Sequence, residues 1–535
     1  MSCIFAPLEY YISDRDEFWF DIYEGAPPVL AMFAAALVLG ALVNSLLCVL
    51  LRGIGKETVY HWILALETGV IVCFFLQGNF MAGHLPVLDG HEIDWGGPEY
   101  RFEQIKSVLL WVLVSGAVVF CGIKFKIANV IKSIGFICAG LFFIMILSLS
   151  VGIIGGDSGA VFEKRVEKYR VSDTDLFRFS TDQNLIVLLL DYVDSADVAK
   201  MLEEEPEDRE IFRDFTYFPD TQGLYPYTHY AIPQILSGKC YENSGSFNDY
   251  YIDAMDNSPL LKSLEGRGFA MGLYEPESRY ITEEANARLD NLYQRDIHLV
   301  RRKRYDLFWL ELVGFRYLPY PLKPLCKVTD LEEFEEMKSE PPEGEPEDFS
   351  WNNYDFFRRL WDWDIDKTDQ KCFRFIHLKG WHKTHDTDLD GYFTLDPVSD
   401  DDALRVCFKL AREFLDKLRS AGVYDNSAIL IMADHGDNRE GFGQNPAFFV
   451  KGINESHEMK TSEARLSYAD LQEIFEDLLD GADSGKLEQY GKTGEGRRFL
   501  WYEYKSKAPM VEYMQTGGVN DGETFVPTGR VFDAK

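Results

Sequence analysis

The chain has 535 residues, more than one typical domain, and a formal net charge of −33. Such a charge excludes a broad nucleic-acid-binding surface, which would require patches of Lys and Arg. Long apolar runs occupy the chain to about residue 155, and the remainder has the acidic, aromatic composition of a globular protein. The composition therefore predicts a membrane part followed by a soluble part.

The first part contains apolar segments long enough to cross a bilayer as helices. They are Val29–Leu51, Trp62–Met81, Val108–Ile123 and Ile134–Ile154. A buried helix of a soluble protein seldom runs so long without a charge. We therefore expect an integral membrane protein with a transmembrane domain of about four helices over residues 1–155.

The charges of the connecting loops predict the orientation. Arg52 and Lys56 lie between the first two segments, and Lys124 and Lys126 lie between the last two. The N-terminal stretch and the loop between the second and third segments are acidic instead. Basic loops favour the cytoplasmic side. The sequence therefore predicts a multi-pass protein of the cell membrane, with everything after residue 155 extracellular or periplasmic.

After a predicted linker over residues 156–182, the globular part opens with a buried strand. The apolar run Asn184–Leu190 ends in Asp191 and is followed by a predicted helix over Ser195–Leu202. A strand, an acid at its end and a helix form the opening unit of a doubly wound α/β sheet. We expect this domain to span residues 183–485.

The next informative stretch is YPYTHYAIPQILSG, residues Tyr225–Gly238. Its apolar spacing predicts a helix that Gly238 ends, with Thr228 at or just before the N-terminus. The helix dipole favours an anion at that position. An N-cap alone would also explain a threonine here, and the roles of cap and nucleophile are compatible.

Further along, Gly268–Tyr274 predicts a short strand, and residues 284–325 predict a helical, aromatic insertion over the sheet. A strand over Phe373–Leu378 then runs into a loop with His382 and His385, so that three histidines fall within nine residues. A single histidine is more often structural. The cluster just past a strand end indicates a site, and His382 is its best candidate.

The stretch Ser427–Glu440 changes character abruptly. Its apolar run predicts a buried strand that ends in Asp434, His435 and Gly436. A carboxylate and an imidazole are ligands that suit zinc or manganese, although a simple turn would also explain Asp and Gly. A strand over Asn445–Gly452 and a helix over Tyr468–Leu479 follow, and residues 486–535 predict a β-rich subdomain that packs on the domain.

Together, Asp191, Thr228 and the Asp434–His435 pair are the parts of a metal-assisted nucleophile site. A bound ion lowers the pKa of a threonine hydroxyl and neutralises the charge that develops on a phosphoryl or sulfuryl oxygen.

The stretches NLIVLLLD, THYAIPQILSG, FIHLKGWH, ILIMADHGD and NPAFFVKG, in this order, resemble a known family. It is the membrane-anchored, sulfatase-like branch of the alkaline phosphatase superfamily, which includes lipoteichoic acid synthases and phosphoglycerol and phosphoethanolamine transferases. The resemblance implies a sulfatase/alkaline-phosphatase-like α/β sheet with helices on both faces. It also implies one divalent ion (manganese, zinc or magnesium) bound by Asp191, Thr228, Asp434 and His435. Thr228 would be the nucleophile, and His382 would contact the substrate phosphate.

The chain departs from the family pattern at three points. Asp191 stands where many relatives have Glu, and Thr228 stands where sulfatases have the cysteine that becomes formylglycine. The second-metal histidine that follows Asp-His-Gly in phosphoethanolamine transferases is not evident in the stretch GFGQNPAFF. The threonine disfavours a sulfatase, and the missing histidine disfavours both a second zinc ion and phosphoethanolamine as the transferred group.

The expected function is transfer of a phosphoryl-linked group, of the phosphoglycerol or phosphoethanolamine type, from a membrane lipid to a cell-surface glycan through a threonine ester. Two alternatives remain open. One is a sulfatase or phosphodiesterase that hydrolyses surface glycans with the same site, and the other is a non-catalytic membrane scaffold.

Reporter fusions after Gly53 and after Gly155 test the orientation. We expect the first fusion to report from the cytoplasm and the second from outside, because the basic loops hold their ends of the helices inside. A cytoplasmic signal from the second fusion would contradict the extracellular location of the globular part.

Overall fold

The computed structural model describes residues 22–82, 85, 95–125, 127–155, 170–245, 247–275, 283–293, 302–326, 346–437, 443–491, 496–503 and 508–533. The chain divides into two compact units. The first comprises Met1–Val166 with Asp296–Glu340, and the second comprises Glu167–Arg295 with Pro341–Lys535. Of the predicted linker, residues 156–169 lie outside the described residues. The predicted domain boundaries stay a prediction.

The α-helices in chain order are α1 (Ile22–Gly53), α2 (Glu57–Phe80), α3 (Pro98–Lys124), α4 (Ile127–Gly155), α5 (Ser195–Glu204), α6 (Thr228–Ser237), α7 (Phe247–Asp256), α8 (Pro259–Gly266), α9 (Glu283–Asn286), α10 (Arg302–Tyr317), α11 (Asn353–Asp362), α12 (Asp400–Ala421) and α13 (Leu471–Leu479).

The strands are β1 (Arg170–Val171), β2 (Arg178–Ser180), β3 (Asn184–Leu190), β4 (Thr216–Tyr217), β5 (Thr221–Gln222), β6 (Ala270–Tyr274), β7 (Leu292–Tyr293), β8 (Asp366–Thr368), β9 (Cys372–Leu378), β10 (Ser427–Met432), β11 (Phe448–Lys451), β12 (Lys460–Thr461), β13 (Leu466–Ser467), β14 (Arg497–Trp501), β15 (Met510–Gln515) and β16 (Phe525–Phe532).

The first unit contains the apolar helices. Within the described ranges, three helical segments are long and apolar enough to cross a membrane: Pro27–Gly53, Glu57–Phe80 and Tyr100–Gly122. A shorter apolar stretch, Asn129–Met145, lies in α4. All four predicted spans therefore fall on helices. The number of helices that cross the membrane and their orientation stay predictions.

Helix α10 belongs to the first unit, which corrects the expected insertion over the sheet for residues 302–325. The Tyr305 hydroxyl donates to the Gly25 carbonyl over 2.9 Å, and Arg316 Nε donates to the Gly78 carbonyl over 3.0 Å. The aromatic side chains of α10 thus pack on α1 and α2. The sequence pattern showed a buried aromatic helix but could not show which surface buries it.

The second unit is built on a seven-stranded mixed sheet in the order β12–β4–β11–β10–β3–β9–β6. Strands β10, β3, β9 and β6 are parallel to one another, and β11 runs antiparallel to both of its neighbours, β10 and β4. The carboxyl ends of the four parallel strands therefore meet at one edge, where α/β sheets hold their ligands.

Helices cover both faces of this sheet, which confirms the predicted α/β fold class. Leu185, Val187 and Leu189 of β3 pack with α6, α7, α8 and α13 on one face, called here the α6 face. The alternate residues of β3 pack with α5, α11 and α12 on the other face. A central strand buried on both faces reads as a continuous apolar run, as Asn184–Leu190 does.

Helix α6 begins and ends where the sequence predicts. Its first residue is Thr228, and Gly238 caps its end with a left-handed φ of 71°, a conformation that glycine adopts without strain. Strands β14, β15 and β16 form a three-stranded antiparallel sheet. Leu500 and Met510 of that sheet pack against Leu224 and Ala231 near the start of α6.

The contact between Gly78 and the buried Tyr317 ring can be tested by Gly78→Ala. A Cβ at Gly78 would lie 2.2 Å from the ring, which is buried and cannot swing away. We expect a loss of about 1–3 kcal/mol in stability, measured as a lower melting temperature in detergent. The control is Gly116→Ala on α3, where a Cβ meets nothing within 4 Å. Equal melting temperatures for the two variants would contradict the docking of α10 on α2.

Candidate metal and nucleophile site

Four buried polar side chains converge at the carboxyl edge of the parallel strands. Asp191 follows β3, Glu275 follows β6, His377 is the penultimate residue of β9, and Asp434 lies two residues beyond β10. Each stands two positions after an apolar residue that packs on the α6 face. Because side chains alternate along a strand, all four point to that face.

Three of these residues could hold a metal ion. The ligand atoms of Asp191, His377 and Asp434 all lie within 4.8 Å of one another. Asp191 Oδ1, His377 Nε2 and Asp434 Oδ2 are buried and have no hydrogen-bond partner in the part of the chain that the structure describes. Buried polar atoms without partners are costly, and one divalent cation would satisfy all three. The donor set of two carboxylates and an imidazole fits the ion that the sequence implies.

His435 faces the same point. Its Nε2 lies 3.7 Å from Asp191 Oδ1 and 3.6 Å from Asp434 Oδ2. Its Nδ1 is 2.8 Å from the Gly436 carbonyl oxygen, which can only accept a hydrogen bond. Nδ1 therefore donates this hydrogen bond, and Nε2 is left facing the two carboxylates.

Thr228 lies at the entrance to this group. Its Oγ1 is 3.4 Å from His435 Nε2, and its side chain is half-buried. The N-cap of α6 is Tyr227, so Thr228 is the first helical residue and not the cap. The dipole of α6 favours negative charge beside this hydroxyl. The structure thus brings Asp191, Thr228, Asp434 and His435 together, and their functional roles stay predictions.

His382 lies at the mouth of the site. It is half-buried, with ring centroids 6.1 Å from Tyr192 and 5.8 Å from Trp351. His385 is engaged elsewhere, because its Nε2 lies 3.0 Å from Asp400 Oδ1. Of the two histidines in this loop, His382 is the one whose charge helps to lower the pKa of Asp191.

The sequence reasoning missed His377 and Glu275. His377 Nδ1 lies 2.5 Å from Glu275 Oε2, and both side chains are buried. His377 belongs to the cluster of three histidines from which the sequence analysis chose His382. The sequence did contain a signal. His377 lies two residues after Phe375, and side chains two residues apart in a strand point to the same face, here the face on which the helix starting at Thr228 packs.

The electrostatics of the buried carboxylates follow from their neighbours. Burial and the adjacent Asp191 carboxylate raise the pKa of Asp434 to about 6, against the influence of His435. Burial alone would raise the pKa of Asp191, but the His377, His382 and His435 imidazoles outweigh it and lower that pKa. Burial disfavours the charged imidazole of His377, yet Glu275 and Asp191 hold its pKa well above the ordinary value. The group therefore concentrates negative charge that a cation would stabilise.

Tyr192 ties two of the strand ends together. Its φ of 69° is left-handed, a conformation that costs a non-glycine residue about 1–3 kcal/mol. Its backbone N–H donates to Asp434 Oδ1 over 3.3 Å, and its hydroxyl donates to Asp437 Oδ1 over 2.7 Å. Strain of this kind persists where surrounding contacts fix it, as they do here.

No protein-family model and no curated protein matches the chain. Solved structures do match it. A glycosaminoglycan 2-O sulfatase is 12% identical, covering 62% of this chain and 81% of its own, with a TM-score of 0.37. A protein in the alkaline phosphatase superfamily from Vibrio parahaemolyticus is 11% identical, covering 69% and 82%, with a TM-score of 0.36. A phosphonate monoester hydrolase from Silicibacter pomeroyi is 12% identical, covering 66% and 89%, with a TM-score of 0.34.

The chain is thus similar to sulfatases and alkaline phosphatase superfamily members, the group that its motifs resemble.

The close approach of Gly380 to Asp191 can be tested by Gly380→Ala. A Cβ there would lie 2.4 Å from the Asp191 backbone nitrogen and 2.7 Å from its carbonyl oxygen. The Asp191 strand end must therefore move, and we expect the metal content per chain, measured by elemental mass spectrometry, to fall.

Gly422→Ala is the matched control for this variant. Gly422 has a φ of 72°, close to the 57° of Gly380, but a Cβ there meets nothing within 4 Å. Both variants acquire left-handed strain of about 1–3 kcal/mol, and only Gly380→Ala displaces Asp191. Equal metal contents in the two variants would show that Asp191 does not need this packing.

Proposed function

We propose that the chain is a metal-dependent transferase that moves a phosphoryl-linked group, of the phosphoglycerol or phosphoethanolamine type, from a membrane lipid to a cell-surface glycan through an ester on Thr228. The observation that carries the proposal is the position of Thr228. Its hydroxyl lies at the N-terminus of α6, 3.4 Å from His435 Nε2 and beside two buried carboxylates.

The chemistry divides between the ion and the protein. Asp191, Asp434, His435 and Thr228 would hold a divalent ion, which supplies Lewis acidity toward the threonine oxygen and the substrate oxygens. The strand ends hold the carboxylates in place, and the start of α6 aims the threonine hydroxyl and favours an anionic substrate beside it. His382, across the mouth of the site, would hold an oxygen of the substrate phosphate.

The reaction balances in two half-reactions. In the first, Thr228 Oγ1 forms a bond to phosphorus, the bond between phosphorus and the lipid oxygen breaks, and the threonine proton leaves with the lipid alcohol. In the second, a glycan hydroxyl attacks the phosphothreonine ester, the bond to Thr228 Oγ1 breaks, and the hydroxyl proton returns to the threonine. This is the ping-pong route of covalent catalysis.

The apolar helices favour a lipid donor over a soluble one. Three helical segments in the described chain are long and apolar enough for a membrane, and a lipid donor lies in the plane to which such helices would tether the site. A hydrolase with the same residues remains the second candidate, in which water takes the place of the glycan hydroxyl.

The test uses the full-length protein in lipid nanodiscs that contain phosphatidylglycerol or phosphatidylethanolamine. Mass spectrometry of the peptide that carries Thr228 should detect a phosphoglycerol or phosphoethanolamine adduct in the wild type. Thr228→Ala should abolish the adduct and lower the release of diacylglycerol by about 10³-fold or more, because no other nucleophile replaces the hydroxyl.

Thr228→Ser is the matched control, since it keeps a hydroxyl at the same position and should retain an adduct and measurable turnover. Wild-type diacylglycerol release by Thr228→Ala would refute the covalent route. If added glycan acceptor does not compete with water for the phosphoryl group, the enzyme is a hydrolase and the transfer is refuted.

A further inference from the structure

The pair His377–Glu275 is built into the site but has no part in the set of four ligands considered above. Glu275 directly follows β6, and His377 is the penultimate residue of the adjacent parallel strand β9. Their side chains are 0% and 1% exposed. Glu275 Oε2 lies 2.5 Å from His377 Nδ1. A buried carboxylate therefore holds one nitrogen of the imidazole and fixes the orientation of the ring.

The other nitrogen of His377 is directed at the carboxylates. His377 Nε2 lies 3.6 Å from Asp191 Oδ2, beyond the usual hydrogen-bond range. Asp434 also falls within the 4.8 Å group. No described residue makes a hydrogen bond to Nε2.

These separations match those of ligands that share one ion. Ligand atoms at about 2.1 Å from a tetrahedral ion lie about 3.4 Å apart. His377 Nε2 lies 3.6 Å from Asp191 Oδ2, and His435 Nε2 lies 3.7 Å from Asp191 Oδ1 and 3.6 Å from Asp434 Oδ2, so Asp191 turns one oxygen to each imidazole. The 3.6 Å between His377 Nε2 and Asp191 Oδ2 is within ion-pair distance but longer than the 2.5 Å between Nδ1 and Glu275 Oε2.

We propose that His377 is an additional ligand of the metal ion and that Glu275 is the residue that positions it, by accepting a hydrogen bond from Nδ1 so that Nε2 remains for the ion. Carboxylates that orient ligating histidines in this way are a recurrent feature of metal sites. The inference rests on the metal binding in the proposed function, not on the identity of donor or acceptor.

A second imidazole also selects the class of metal. A site with His377 and His435 beside Asp191 and Asp434 offers two nitrogen and two carboxylate ligands. Imidazole suits zinc and its transition-metal neighbours, whereas magnesium prefers a shell of oxygen ligands. The proposed ion is therefore zinc or a similar transition metal, and magnesium should not compete with it effectively.

The first measurement uses the unmodified protein. Full-length wild-type protein in detergent is stripped with a chelator, reloaded with one equivalent of zinc and examined by X-ray absorption at the zinc edge. We expect two imidazole ligands, from His377 and His435. A single imidazole in the zinc-loaded protein would overturn the inference and leave the proposed function intact.

The second measurement compares zinc affinity by competition with a fluorescent chelator. Glu275→Gln keeps the side-chain shape and removes the acceptor charge, and it should weaken zinc binding by about 10–100-fold. His377→Gln should weaken it at least as much and lower the preference for zinc over magnesium. A purely structural role would lower the melting temperature and leave that preference unchanged.

The matched control is Asp173→Asn, which removes the charge of a buried carboxylate that is paired with Arg359 over 3.0 Å. It should keep wild-type zinc affinity. Wild-type affinity in both Glu275→Gln and His377→Gln would refute the inference. If the wild-type protein binds no divalent ion, the proposed function itself fails.

Discussion

The structure of the site depends on the burial of two like-charged carboxylates at neighbouring strand ends. Strands β3 and β10 are paired in parallel with Met432 opposite Leu189, so Asp191 and Asp434 follow them side by side and cannot separate. Two carboxylates whose oxygens lie within 4.8 Å of each other in a buried site repel each other when both are ionised. The surrounding residues must therefore supply positive charge and hydrogen-bond donors to these two carboxylates.

The compensating groups come from different parts of the chain. The backbone N–H of Tyr192 donates to Asp434, His435 stands between the two carboxylates, and His377 approaches Asp191 from the next strand. These donors sit on strand ends and on tight turns next to them, which hold groups more precisely than long loops do. The charge that remains unbalanced is negative, which is the condition for a cation to bind.

The backbone around the site has little freedom to adjust. Gly380 lies so close to the Asp191 peptide that no side chain fits between them, and the Trp381 N–H donates to the Asp191 carbonyl over 2.9 Å. Asp194 accepts hydrogen bonds from Ala196 at the start of α5 and from Asp437 beyond the Asp434–His435 pair. The loops after β3, β9 and β10 therefore hold one another, and a change in one is transmitted to the carboxylates.

The sequence by itself determined the buried strands and the start of α6, and it singled out Asp191, Thr228, Asp434 and His435, which the structure brings together. An apolar run that ends in Asp191 or Asp434 predicts a buried strand with a carboxylate at its end. These are local properties of the sequence and do not depend on which strands lie next to it. Only the tertiary structure decided that α10 belongs to the first unit and that His377 and Glu275 lie beside Asp191. The first depends on which surface buries an aromatic helix. The second depends on the strand order β3–β9–β6, which places the ends of β6 and β9 beside Asp191. This pairing joins strands that are distant in the sequence, and the residue pattern of one strand does not reveal which strand lies next to it.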